Sequence, residues 1–341
     1  MIFNHNDMAI PNGNFFAMPY KKGEGDIEII TVPWDATVSY GEGASRAPEA
    51  VIDASTQIDL FDVDIEKAWE IKISHRSLDL ETDNRTCRSH VQKVLKHLLD
   101  GGKPSDIQNY IDQVNIMSEQ INSRVYEAAV SILEQKKIPA LTGGDHSCPF
   151  GLIKAVAEYY PQVGILHIDA HADLRQGYQG FKYSHASIMY NVYTQIPNIS
   201  TIVQVAVRDF CEEEYTFASN HADIFMLTDS CLSEKRYAGK NWIEQCSEII
   251  NHLPEYVYIS FDIDGLNPYL CPSTGTPVPG GLDFSEALCL IKQLAVSGKK
   301  IAGFDLCEVV PGNGSEWDAN VAARLLFKIC CYTYYSQHKK I

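Results

Sequence analysis

The feature that most constrains this chain is a series of short apolar runs, each stopping abruptly in charged or glycine-rich residues. Ile27–Val32 leads into Pro33-Trp34-Asp35, and 138–141 into Thr142-Gly143-Gly144-Asp145-His146. Val163–Ile168 leads into Asp169-Ala170-His171, and 201–207 into Arg208-Asp209. The runs at 256–261 and 301–304 lead into Asp262-Ile263-Asp264 and Asp305-Leu306-Cys307-Glu308. Runs without polar alternation suit strands buried on both faces. Helical periodicities lie between them. Met117, Ile121, Val125, Ala128 and Ile132 share one face, with Ser118 a candidate N-cap. Val91, Val94, Leu95, Leu98 and Leu99 form a second stretch that stops at Gly101-Gly102, and 284–294 follows Gly280-Gly281 as a third.

Alternating strands and helices predict an α/β fold with a mostly parallel sheet covered on both faces. Ligands of such folds sit beyond the carboxyl ends of the strands, where the polar clusters fall. All 341 residues read as one domain. The polar stretch 82–116, with Gly101-Gly102-Lys103-Pro104 in its middle, reads as a helical insertion within it.

Composition narrows the partners. A 45% apolar, 21% charged chain is ordinary globular usage. The net charge of −16, without a run of five Lys or Arg, argues against nucleic acid and weakly favours cations. No apolar run approaches the ~18 residues of a membrane span. The first residues have neither a basic nor an apolar leader pattern, so secretion is not expected. Ten scattered cysteines without a C-x-x-C then read as reduced thiols, and the expected setting is the cytoplasm.

The segment His167-Ile168-Asp169-Ala170-His171-Ala172-Asp173 is the most informative. Extended backbone would put Asp169, His171 and Asp173 on one face, where they need a counter-charge. Asp262 and Asp264 repeat the pattern at another strand end, and His146 adds an imidazole at a third. Alone, a D-x-D is a weak signal that sugar transferases also carry; three clusters closing three strands are a strong one. Four carboxylates and two imidazoles suit two divalent ions sharing bridging carboxylates and a water, Mn²⁺ ahead of Zn²⁺ because no thiolate takes part. His167 reads as a buried, hydrogen-bonded histidine and is left out of the ligand set.

The segments GGDHS (143–147), DAHAD (169–173), SFDIDGLNP (260–268), STGTPVPGGL (273–282) and GFDLCEVVP (303–311) resemble the ureohydrolase family of arginases, agmatinases and relatives. The stretch 169–189 is most similar to agmatinase-type members. The resemblance covers roughly 27–66 and 138–330 and leaves 67–137 unmatched. It implies a three-layer α/β/α fold and two Mn²⁺ per chain. It also implies hydrolysis of a small cationic guanidino substrate to urea and an amine, in a homo-oligomer, trimeric or hexameric. By resemblance the metal ligands are His146, Asp169, His171, Asp173, Asp262 and Asp264. Asp169 and Asp262 bridge, His146 and Asp173 complete one ion, and His171 and Asp264 the other. Glu308 is expected to orient the substrate, His185 to transfer a proton with a pKa near 7, and Thr276 to lie near the substrate.

Departures from the arginase pattern bear on the substrate. Leu174-Arg175 follows Asp173 where arginases carry an Asn-bearing segment, and Cys211 stands where they place an acid. Val310 replaces the usual Asn before Pro311. Agmatine, giving putrescine and urea, is the leading expectation. Guanidinobutyrate, formiminoglutamate and guanidine follow, with L-arginine last. Arg175 keeps acidic substrates open, since guanidinium binds carboxylate in bidentate fashion. A non-catalytic metal-binding relative is the reading of another class, and intact His185 and Glu308 speak against it.

Overall fold

A computed structural model describes residues 4–338. Its centre is one eight-stranded sheet: β1 (Ile27–Val32), β2 (Ile73–Ser77), β3 (Ile138–Gly143), β4 (Val163–Ile168), β5 (Ile199–Val207), β6 (Ile224–Thr228), β7 (Tyr256–Asp262) and β8 (Lys300–Cys307). The order is β2-β1-β3-β8-β7-β4-β5-β6, and every adjacent pair is parallel. All carboxyl ends therefore open on one edge of the sheet.

Among the described residues ten helices flank the sheet: α1 (Ala47–Ser55), α2 (Glu81–Leu99), α3 (Gln108–Glu134), α4 (Phe150–Tyr159), α5 (Ile188–Gln195), α6 (Glu212–Ser219), α7 (Asp229–Tyr237), α8 (Trp242–Asn251), α9 (Phe284–Val296) and α10 (Trp317–His338). Strand alternation divides the apolar residues between two cores. Ile29, Ile259 and Leu166 pack with α1, α8, α9 and α10 on one face, whereas Ile30, Tyr258 and Ile165 pack with α2 to α5 on the other. The result is a three-layer α/β/α sandwich. Among the described residues, no helix is long and apolar enough to cross a membrane.

Three details differ from the sequence reading. Ser118 is not an N-cap: it is buried inside α3, which starts at Gln108 after a turn over Pro104–Ile107. A proline in that turn and the Lys103 N–H bonded to the Asp106 carboxylate start the helix there, and its buried stripe begins at Ile111 and Val114. The edge strands β2 and β6 are the other two, since neither shows as an apolar run in the sequence. In β2 a buried Arg76 interrupts the apolar pattern, and Glu28 of β1 neutralises it across the strand pair. In β6 most side chains remain half exposed.

Gly144 shows how closely the strand ends are packed. A Cβ there would lie 1.8 Å from the Trp34 carbonyl oxygen, which accepts a hydrogen bond from Asp145 N at 2.8 Å. Gly144→Ala must displace backbone, and we expect it to cost at least about 2 kcal/mol. Chemical denaturation measures this; a wild-type midpoint would contradict it.

Candidate active site

Four adjacent central strands, β3, β8, β7 and β4, deliver the polar residues. Beyond β3, His146 turns its Nδ1 towards three carboxylates: Asp169 Oδ2 at 3.0 Å, Asp173 Oδ2 at 3.2 Å and Asp262 Oδ2 at 3.4 Å. Its Nε2 lies 2.9 Å from Ser260 Oγ, which donates to Asp305 Oδ1 at 3.2 Å. That relay orients the ring so that Nδ1 faces the cluster.

Beyond β4 the chain does not continue as a strand. Asp169 Oδ1 accepts from His171 N at 2.6 Å, and Asp173 adopts a left-handed φ of 53°. The convergence of Asp169, His171 and Asp173 therefore comes from a strained turn, not from the extended spacing the sequence suggested. His171 Nδ1 faces Asp264 Oδ2 at 3.1 Å and Asp169 Oδ1 at 3.5 Å. Asp264 is fixed by the turn it occupies: its amide donates to Asp262 Oδ1 at 2.9 Å, and its Oδ1 accepts from Ala170 N at 3.0 Å.

Two compact donor groups result, one of His146, His167, Asp169 and Asp173, the other of Asp169, His171 and Asp264. Asp169 belongs to both. Asp262 borders the first group through His146 and the second through Asp264. His167 is better placed as a support than as a ligand. Gln204 Nε2 lies 3.0 Å from its Nδ1, so its Nε2 bears the proton and donates to Asp169 Oδ2 at 2.8 Å.

The electrostatics call for cations. Burial, with Asp264 and Asp169 nearby, pushes Asp262 well above the usual carboxylate range, and burial with Asp169 pushes Asp173 to about 6. Burial opposes charge on His146 and His171, yet the surrounding carboxylates outweigh it and hold both imidazoles charged. A buried set of oxygen and nitrogen donors that must borrow protons to coexist fits hard divalent ions.

The clusters floor a cavity of about 180 Å³. Glu308, in a left-handed conformation at φ 60°, reaches it from the end of β8. Its Oε1 accepts from His146 N at 2.9 Å, and burial with the Asp145 charge pushes it well above its ordinary range. His185 forms a wall, its backbone N–H donating to Thr37 Oγ1 at 3.1 Å and its Nε2 lying 3.5 Å from Ser39 Oγ. Its pKa is not near 7: burial, then the positive charge of His171, lowers it to about 4. A divalent cation at His171 has the same sign, so the imidazole is neutral at neutral pH. Thr276 lines the cavity and donates to Asp264 Oδ2 at 3.4 Å.

Arg175 also lines the cavity, beside Glu214 and Tyr178. Its Nε lies 3.6 Å from Glu214 Oε2 and its guanidinium stacks 5.0 Å from the Tyr178 ring centre. Glu214 is itself held by the amides of Leu174 and Cys211. Cys211 caps α6, and Val310 packs beside Gly43. Ser39, Tyr178 and the exposed Asp209 also line the cavity, and nothing in the sequence singled out the first two. Asp209 was signalled only by its place after β5.

Residues 25–331 match the arginase family. The N(1)-aminopropylagmatine ureohydrolase of Thermus thermophilus is 29% identical over 310 residues, covering 91% of this chain and 90% of its own. The agmatinase of Bacillus subtilis is 27% identical over 338 residues, covering 94% and 96%. Among solved structures, proclavaminate amidino hydrolase from Streptomyces clavuligerus superimposes with a TM-score of 0.73 at 23% identity, over 98% of this chain and all of its own. Agmatine ureohydrolase of Thermoplasma volcanium gives 0.69 at 22% identity, over 92% of each chain. At these identities the structural likeness speaks for the fold alone.

The shared position of Asp169 has a measurable consequence. Titrated with Mn²⁺, the wild-type chain should take up two ions, one per donor group. Asp169→Asn should lose both, whereas Asp173→Ala should keep the ion of the His171 group. Calorimetry or metal analysis after gel filtration reads the difference; two tight ions in Asp169→Asn would rule out a shared donor.

Proposed function

This chain belongs to the arginase family of hydrolases, and on that premise we propose that it hydrolyses a cationic guanidino compound, agmatine above others, to urea and an amine. The observation that carries the reading is Glu308, a buried carboxylate beside both donor groups that burial and Asp145 drive towards neutrality. A guanidinium held against it offsets both penalties and gives the carboxylate its bidentate partner.

Resonance deactivates a guanidinium carbon, so water needs strong activation. Two divalent ions, Mn²⁺ in this reading, held by His146, Asp169, Asp173, Asp262, His171 and Asp264, supply that activation when bound. Glu308 holds the guanidinium in place for attack from the cavity floor. His185, neutral at rest, relays rather than stores the proton: one ring nitrogen accepts while the other gives. The proton goes to the departing nitrogen, so that water and guanidinium yield urea and an ammonium. Ser39 Oγ stands beside Nε2 as a hydroxyl partner for that transfer. Thr276 supports Asp264 from the cavity side.

Agmatine is favoured over arginine because Cys211 is no acid and no Asn follows Asp173. It is favoured over acidic compounds such as guanidinobutyrate or formiminoglutamate because Glu214, which lines the same cavity, offsets the Arg175 charge. The exposed Asp209 carboxylate is available to a distal ammonium. A longer polyamine guanidine is the second reading, supported by that same residue and by the substrate in the Thermus relative's name. The cytoplasmic setting and the trimeric or hexameric assembly belong to this reading as well.

A urea-release assay with Mn²⁺ over agmatine, aminopropylagmatine, guanidinobutyrate and arginine tests the substrate, with a formamide readout for formiminoglutamate. Each unpaired charged group of arginine costs roughly 1.5–3 kcal/mol. We therefore expect kcat/KM for agmatine to exceed that for arginine by at least about a hundredfold. Equal rates would overturn the preference, and activity confined to acidic substrates would make Arg175 the specificity residue. His185→Asn should lower kcat by roughly 10²–10⁴-fold with metal content intact; near-wild-type turnover would remove His185 from proton transfer.

A further inference from the structure

The stretch 82–116 lies outside the segments of resemblance, yet its first helix reaches the active-site wall. We propose that α2 is a positioning element for His185: Asn84 and Arg88 hold the loop 35–39, which in turn holds the histidine. The inference rests on the reading of His185 as the proton-transfer residue.

Two independent contacts tie the helix to the loop. Asn84 and Asp35 pair reciprocally, the Asp35 N–H donating to Asn84 Oδ1 and Asn84 Nδ2 donating to Asp35 Oδ1, both at 2.9 Å. Four residues on, Arg88 occupies the same helix face. Its Nη1 donates to the carbonyls of Ala36, at 3.2 Å, and Val38. Glu42 accepts from Arg88 Nε at 3.1 Å and keeps the fork aimed at the loop. The Arg88 side chain is only 13% exposed, so little water competes for these bonds.

The opposite edge of the same peptide faces the site. Because the Ala36–Thr37 bond is trans, the Ala36 carbonyl and the Thr37 N–H point in opposite directions. The N–H donates to buried Asp145 Oδ2 at 3.1 Å, and Thr37 Oγ1 donates to the same oxygen at 2.8 Å. Thr37 Oγ1 then accepts the His185 N–H. The peptide is gripped between α2 and Asp145, and Thr37 is the junction through which α2 acts on His185. Ser39, on the same loop, sits against the ring.

This grip is not needed to bury a core, since Cys87, Val91 and Val94 already anchor α2. Arg88→Ala and the milder Asn84→Ala therefore remove the loop contacts and leave the apolar face of the helix intact. Misplacing a catalytic group by about 1 Å can cost two orders of magnitude in rate. With wild-type metal content, we expect Arg88→Ala to lower kcat on agmatine by about tenfold to a hundredfold with KM within about threefold. In a His185→Asn background the same substitution should cost less than about threefold, because the two act through one step. Hydrogen exchange of the Mn²⁺-loaded full chain reads the geometry without any substrate. Peptides covering 35–39 and 184–187 should exchange faster in Arg88→Ala, with 163–168 unchanged. Unchanged exchange at 184–187 in both variants, or equal rate losses in the wild-type and His185→Asn backgrounds, would overturn the proposal. If the wild type releases urea from none of the guanidines, the proposed function fails, and exchange alone decides whether α2 holds the loop.

Discussion

Four carboxylates, each no more than 5% exposed, crowd the carboxyl ends of β4 and β7, and this repulsion is the constraint on which the rest depends. In a low-dielectric interior, such charges coexist only with cations or borrowed protons between them. His146 and His171 supply part of the compensation, since each ring faces two or more of the carboxylates. Divalent ions supply it without protonating the donors, and their release would leave the cluster under strain. The fold holds the like charges together by spending its most rigid part, the centre of a buried parallel sheet, on keeping them there.

The topology explains why these four strand ends meet. In the sheet β8 and β7 lie between β3 and β4, which come much earlier in the chain, so His146, Glu308, Asp262 and Asp169 emerge side by side. Each is then turned inward by a local device. Gly144 lets the chain pass under Trp34, Asp173 and Glu308 adopt left-handed backbone, and Asp262 caps the turn that carries Asp264. Behind these residues, Ser260 with Asp305, and His167 with Gln204, fix the orientation of His146 and Asp169. Strained backbone and buried polar relays concentrate where the chemistry requires fixed positions.

Much of this was legible from sequence because the central strands are buried on both faces and carry uninterrupted apolar runs. The donor residues directly follow those runs, so DAHAD and DID advertised both their type and their place. The edge strands β2 and β6 were not legible, because Arg76 breaks the pattern in one and partial exposure weakens it in the other. The start of α3 was obscured because Ser118 interrupts the apolar stripe that runs on from Ile111 and Val114, and imitates a cap. The neutrality of His185 depends on burial and on the charge of His171, a partner fourteen residues away that local pattern does not connect to it. The Thr37–Asp145 and Asn84–Asp35 contacts join distant segments through side chains that look like ordinary loop and helix-surface residues.

On the proposed function, one shared carboxylate cluster holds two ions on the floor of a guanidinium-binding cavity. Anomalous diffraction at the manganese edge, from crystals grown with Mn²⁺, tests it most directly. Two peaks are expected, one bounded by His146 and Asp173 and one by His171 and Asp264, with Asp169 reaching both. A single peak, or ions bound away from Asp169, would contradict it.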